Sequence, residues 1–392
     1  MTLCLLILLS ACVHVVSIHV AFADEDGTQA AVADKTESSE SGKPDVPAAD
    51  SANAKVSVVP NADVKVTTDN AGPLRISGST MGSYYSVVVD APGTRAEVEI
   101  RKLIDDKLAL INLQMSNWDS ESEISRFNAS DSVDWFPVSE EFARVTAAAI
   151  EIHQKTEGAF DPTLAPVIEL WGFGRKRTRK VPSDDQILAA LKNVGMQAVE
   201  VRSDPPAIRK TNPTIQLNLS ALAPGFAVDQ IVEQLKSIGV RSFLVDISGE
   251  VRFGDSKQSG EFWKLGVESP TGGIYKLLEL KEISVATSGN YRNFFRAGGK
   301  RYSHILDPDT GRPVENPPAS ATVRHESCMM ADAWATSMIV LGPERGMQIA
   351  QTHQLDVMIL MVDENQVIQE FSTDYFRSVL RHEPPVQSRP SP

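Results

Sequence analysis

Cysteine, aromatic residues and positive charge are all scarce in this chain, and each shortage excludes something. Cysteine occurs three times in 392 residues. Two of these, Cys4 and Cys12, fall in the first apolar segment, so downstream of it Cys328 stands alone and no internal disulfide framework is possible. Stability must come from a packed core, which a hydrophobic content of 42% can supply. Cys328 itself reads as a small buried hydrophobe. Lys and Arg number 38 against 51 Asp and Glu, a net charge of −13 that excludes a nucleic-acid backbone as partner. An anionic ligand would need local cations or a metal. Repeats at solenoid spacing are absent as well.

What is present begins with a leader. Residues 1–23 form one apolar run followed by acidic chain, the pattern of an export signal. Two processing sites fit. Leu9-Ser10-Ala11-Cys12 matches a lipobox, which would make a lipoprotein acylated at Cys12 and attached to the inner membrane; Ala21-Phe22-Ala23 matches a site for release after Ala23. The apolar stretch continuing beyond Cys12 favours the second. No Lys or Arg opens the leader, which also leaves an uncleaved anchor or a misplaced start open. Either way the expected location is periplasmic, released or membrane-anchored. Residues 24–72 are rich in Ala, Ser, Asp, Glu, Pro and Lys and read as a disordered acidic linker, and residues 384–392 as a disordered tail.

Between them, residues 73–383 alternate strand-like and helix-like patterns, which predicts an α+β unit with a mixed sheet and packed helices. Tyr84–Asp90, Ser242–Ile247 and Asp356–Val362 read as strands. Ile100, Leu103, Ile104, Leu108 and Ile111 share one helical face. A second helix carries Phe142, Val145 and Ala149, with Ser139 as N-cap and Gly158 as stop. A third carries Val228, Ile231, Val232 and Leu235 and ends at Gly239.

The chemistry-bearing segments lie on and between these elements. Ala331–Met338 predicts a helix stopping at Gly342-Pro343, on which Asp332 and Thr336 lie four apart on one face. A carboxylate and a hydroxyl so placed are hard oxygen ligands suited to Mg²⁺, although the spacing alone equally describes a solvated face or a cap. Thr287–Asn293 and Tyr302–Gly311 are turn-rich polar segments beside apolar strands. Asp307-Pro308-Asp309-Thr310-Gly311 is also ordinary turn chemistry, and His304 alone could be a structural histidine. Gly158–Thr163 and Trp171–Gly174 frame aromatics with glycine near an acidic turn, as in the loop wall of a site for a flat ligand. The basic run Arg175–Lys180 could help hold an anion or be a solvated loop.

In this order, seven motifs make the region from Gly78 to Gly342 resemble the ApbE-like FAD:protein FMN transferases. They are Gly78–Gly82; Met115-Ser116 with Ser122–Asn128; Gly158–Thr163 with Trp171–Gly174; Leu217–Asp229; Val245–Glu250; Thr287–Asn293 with Ser303–Gly311; and Ala331–Thr336. The resemblance implies a single catalytic unit of T-fold-like α+β type. It implies Mg²⁺-dependent cleavage of FAD, with FMN placed on a threonine of an exported acceptor of the electron-transfer-subunit type and AMP released. Carried over by position, Met81, Trp118, Ala159, Phe160 and Asp161 match flavin-nucleotide contacts, and Ala221 (through its backbone oxygen), Asp332 and Thr336 match metal ligands. His304 and Asp307 are the candidates for taking the acceptor's proton.

Three departures stand at nucleotide-binding positions. The usual Asp-Leu-Ser/Gly-x-Ile-Ala-Lys-Gly reads Asn218-Leu219-Ser220-Ala221-Leu222-Ala223-Pro224-Gly225, and the usual Thr-Ser-Gly-Asp ends at Asn290. Amides at 218 and 290 keep shape and lose charge, and Pro224 loses both a cation and a donor. Two other activities use the same residues: an FAD pyrophosphatase with water as nucleophile, and a non-catalytic flavin binder silenced by the three departures.

Overall fold

The computed structural model of the chain describes residues 72–90, 92, 95–175, 180–290 and 294–381. The leader, the linker up to residue 71, the tail, residues 176–179 of the basic run and residues 291–293 lie outside them. Among the described residues no helix is long and apolar enough to cross a membrane.

The α+β expectation holds. An eight-stranded sheet runs in the order Leu74–Thr80, Ser83–Val89, Phe243–Ile247, Glu250–Phe253, Ser284–Gly289, Ser320–His325, Asp356–Val362, Ile368–Ser372. Every ladder in it is antiparallel, where a mixed sheet was expected. For two of the seven ladders the connection dictates it. Thr80 reaches Ser83, and Ile247 reaches Glu250, through two residues only, and a two-residue hairpin joins antiparallel partners alone. Met81 and Gly82 (φ 50° and 72°) turn the first hairpin, Ser248 and Gly249 (φ 60° and 104°) the second.

Alternation along the strands divides the core into two layers. Val87, Val89, Val245, Ile247, Val357 and Ile359 face the larger one, which the helices Glu97–Met115, Ala223–Ser237 and Cys328–Thr352 cover. Val88, Leu244, Met358 and Leu360 face the other, closed by the hairpin Trp263–Glu268/Ile274–Leu280 and the short helix Asp374–Ser378. A third, smaller cluster joins Leu164, Val167, Trp171, Ile187, Phe295 and Leu306.

Local signals explain the helices. Ser139 accepts the N–H of Phe142 and caps Glu140–Lys155, as its place in the sequence predicts. The helix opening at Cys328 ends at Gly342-Pro343, as its sequence predicts: Gly342 leaves helical geometry at φ 71°, and a second helix continues to Thr352 with Pro343 in a first-turn position that needs no N–H. The helices Ala223–Ser237 and Cys328–Thr352 cross at Gly225, where a Cβ would meet the Cys328 carbonyl oxygen at 2.4 Å. Only glycine permits that approach, and it brings the start of one helix against the Asp332 turn of the other.

Candidate active site

Both hairpin turns of the sheet end at the same place. Met81 and Ser248, each in the left-handed region that non-glycine residues seldom adopt, line a small cavity of about 60 Å³ with Met115, Trp118 and Pro224. Trp118 is 43% exposed, an indole face open to stacking. Ser220 lines this cavity and two others. One is an apolar slot of about 190 Å³ holding Phe160, Leu164, Ile168 and Val340 together with Asp161, Ala221, Ser288, His304, Asp332 and Thr336. The other, about 340 Å³, is an outer compartment bounded by Trp118, Asn128, Glu169, Phe173, Arg175 and His304. The three adjoin around the turn Asn218–Ala221.

That turn is pinned from behind. Asn117 and Asn128 both donate to the Leu217 carbonyl at 2.8 Å, and Asn128 accepts the Leu217 N–H at 2.7 Å. Buried Lys210 donates to the carbonyls of Phe127 and Ile215, with its pKa lowered by burial. Asn218 accepts from the N–H and hydroxyl of Ser220, so the amide that replaces the usual carboxylate closes the turn. Pro224 lies in the first turn of its helix, where the absent N–H breaks no helical bond.

The metal-ligand candidates converge. Asp332 and Thr336 open one helical turn apart into the apolar slot, beside Ala221. Thr336 Oγ1 lies 3.0 Å from Ser288 Oγ, which fixes its rotamer. The Asp332 carboxylate is buried and receives one hydrogen bond, a long one of 3.3 Å from the Gly225 N–H. Burial pushes its pKa up to about 7, against a smaller opposing pull from that N–H. Burial also raises Asp246 to about 7 and raises Glu250 well above the usual carboxylate range, with the charges of Asp332 and Asp246 adding to the effect on Glu250. Glu250 Oε2 has no hydrogen-bond partner.

Among the described residues no group of three or more His, Cys, Asp or Glu side chains is arranged to hold a metal. The expected set is of another kind: one carboxylate, one hydroxyl and one backbone carbonyl, hard oxygens of the type Mg²⁺ takes while keeping waters. A buried carboxylate facing a cavity, with acidic groups behind it and no cation among the causes of its shift, fits a bound cation.

The other expected site residues divide. Ala159, Phe160 and Asp161 line the slot. Asp307 does not reach it, because its Oδ1 accepts the N–H groups of Asp309 and Thr310 and closes the β-turn. Asn290 also lies outside: its strand ends at Gly289, and its amide donates to the Pro317 and Pro318 carbonyls on the wall of a separate polar cavity. Ser288, two residues earlier, is the member of that motif facing Thr336. Trp171 is core, bonded through its indole N–H to the Gly311 carbonyl, whereas Phe173 reaches the outer compartment 6.3 Å from His304. Of the basic run, Arg175 lines that compartment. The sequence offered no sign of Lys210 or Asn117, since neither lies in a pattern that implies burial.

An apolar slot that holds a carboxylate, a hydroxyl and the Ala221 backbone, with an exposed indole in the adjoining cavity, is an arrangement suited to an extended ligand with both apolar and anionic parts. The chain belongs to the ApbE family, whose model matches residues 81–360. It is 36% identical over 315 residues to the FAD:protein FMN transferase of Vibrio cholerae, covering 79% of this chain and 93% of that one. With the Escherichia coli protein of the same name it shares 30% identity, covering 78% and 88%. The solved flavin transferase ApbE from Vibrio cholerae superposes with a TM-score of 0.74 at 34% identity, over 79% of this chain and all of that one. The Pseudomonas stutzeri flavinyl transferase ApbE, apo form, gives 0.73 at 35% identity, over 78% and 96%.

Proposed function

We propose that this chain binds FAD and transfers its FMN half to a threonine hydroxyl of an exported acceptor protein, releasing AMP. One observation carries the reading: Asp332, Thr336 and Ala221 meet in a single cavity that adjoins an exposed indole. Asp161 rims the slot with an acceptor-only carboxylate, suited to a base amine, and Phe160 supplies an apolar wall. Trp118 offers the stacking face for the isoalloxazine, with Met81 beside it.

Asp332, Thr336 and the Ala221 carbonyl would hold Mg²⁺, which when bound supplies charge neutralisation at the pyrophosphate. Ser288 keeps the Thr336 hydroxyl aimed at the cavity. His304 lies at the seam between slot and outer compartment, where an acceptor hydroxyl would arrive. Its imidazole takes the hydroxyl proton as the threonine oxygen bonds to the FMN phosphorus; the bond to the AMP oxygen breaks and its electron pair leaves with AMP. Export rests on the leader, with release after Ala23 or anchoring at Cys12.

A second reading follows from the outer compartment, because the route that admits an acceptor to His304 also admits water. Incubation with FAD, Mg²⁺ and a threonine-containing acceptor domain separates the two. An acceptor heavier by FMN, with AMP released, supports transfer. Free FMN and AMP with an unmodified acceptor replaces it with FAD hydrolysis, and intact bound FAD replaces it with a binder. His304→Ala at the wild-type transfer rate would remove His304 from the mechanism.

A further inference from the structure

His153 sits in the last turn of Glu140–Lys155, outside the slot, and lines a separate surface cleft with Ile150, Glu157 and Met196. Its Nδ1 lies 2.9 Å from the Phe160 carbonyl oxygen. A carbonyl oxygen only accepts, so Nδ1 carries the proton and donates. The same nitrogen is 3.8 Å from Asp161 Oδ2, whose other oxygen is engaged by the N–H and hydroxyl of Thr163. From the same helix end, Thr156 Oγ1 accepts the Phe160 N–H at 3.1 Å while donating to the Ile152 carbonyl at 2.7 Å. Both backbone polar groups of Phe160 are therefore held by side chains, with no strand or helix partner.

We infer that His153 is a positioning residue for nucleotide binding: with Thr156 it latches Phe160 and Asp161 so that the wall and acidic rim of the slot are set before the ligand arrives. The inference rests on the flavin-nucleotide reading of the cleft. Without the latch, the turn Glu157–Phe160 would keep its short-range backbone bonds, Gly158 N–H to the His153 carbonyl and Ala159 N–H to the Thr156 carbonyl. Phe160 and Asp161 would lose their fixed direction, and binding would bear the ordering cost.

The test measures FAD affinity by flavin fluorescence on the full chain, alongside KM, kcat and Tm. His153→Phe keeps the ring and loses the donor. FAD Kd and KM should rise about fivefold, the weight of one hydrogen bond, with kcat held within about twofold. His153→Asn should restore wild-type affinity, because its amide nitrogen takes the place of Nδ1. Thr156→Val opens the latch from the other side and should weaken FAD by a similar factor, which keeps the test decisive if His153→Phe folds poorly. Wild-type affinity in His153→Phe or Thr156→Val overturns the inference, as does equal impairment of the Phe and Asn variants. Failure of the wild type to bind FAD overturns the flavin reading and this inference together.

Discussion

Two aspartates, Asp229 half-buried and Asp332 buried, stand on the two helices that cross at Gly225, and they have opposite surroundings. Asp229, on Ala223–Ser237, accepts three hydrogen bonds: from Ser327 Oγ at 2.7 Å, from the Cys328 N–H at 2.9 Å and from the Met329 N–H at 3.1 Å. It caps the start of the neighbouring helix, and those donors oppose the rise that burial imposes on its pKa. Asp332, one turn into that neighbouring helix, has a single long bond and acidic neighbours. The first carboxylate is satisfied by the fold. The second, although the more deeply buried of the two, is left with coordination to offer, so it is the number of donors and not burial that marks the first as structural.

The largest expected effect breaks the comparison on the functional side. If Asp332 holds the proposed cation, Asp332→Ala should lower FMN transfer by about a thousandfold or more, while the metal-free protein keeps or gains thermal stability. Asp229→Ala should do the reverse. Three donors at a helix start lose their acceptor, so stability should fall by about 2 kcal/mol, read as a lower Tm, and transfer per folded molecule should change little.

A pH series sharpens the contrast. Asp332 and Asp246 have folded pKa values of about 7, above the ordinary carboxylate value, because burial disfavours the charged form. Without metal, their contribution to stability is present below about pH 4 and is lost as pH rises through about 7. A cation binds the ionised form, so the Tm gain from Mg²⁺ should be larger at about pH 8 than at about pH 5.5. Asp332→Asn should flatten that trend. An Mg²⁺ gain that shrinks with rising pH would remove Asp332 from the metal site.

The smallest effect concerns Asp307. Asp307→Asn keeps the oxygen that accepts from Asp309 and Thr310, so transfer should stay within about twofold of wild type. A loss of a hundredfold would return Asp307 to the proton path.

How legible these features were in the sequence depends on how local their physics is. The four-residue spacing of Asp332 and Thr336 fixes a shared helical face wherever the helix packs, and the Ser139 cap needs only its own helix. The two-residue turns at Met81 and Ser248 force antiparallel pairing, yet nothing within either hairpin says that both turns end at one cavity. Ser288 and Asn290 belong to one polar run; which of them faces Thr336 depends on the strand ending at Gly289. Trp171 resembled a ligand wall because glycine follows it, but its indole N–H is claimed by Gly311, 140 residues away. The amide at 218 and the proline at 224 read as losses of charge; that one also closes a turn and the other opens a helix depends on contacts the motif does not encode.

The central claim is that Asp332 and Thr336 hold the cation that FAD cleavage needs. Calorimetric titration of Mg²⁺ into the FAD-loaded protein at about pH 8 tests it most directly, run in parallel on Asp332→Ala and on Thr336→Val. The account predicts saturable binding to the wild type, none to Asp332→Ala and weakened binding to Thr336→Val. Equal binding by all three would place the metal elsewhere and contradict the account.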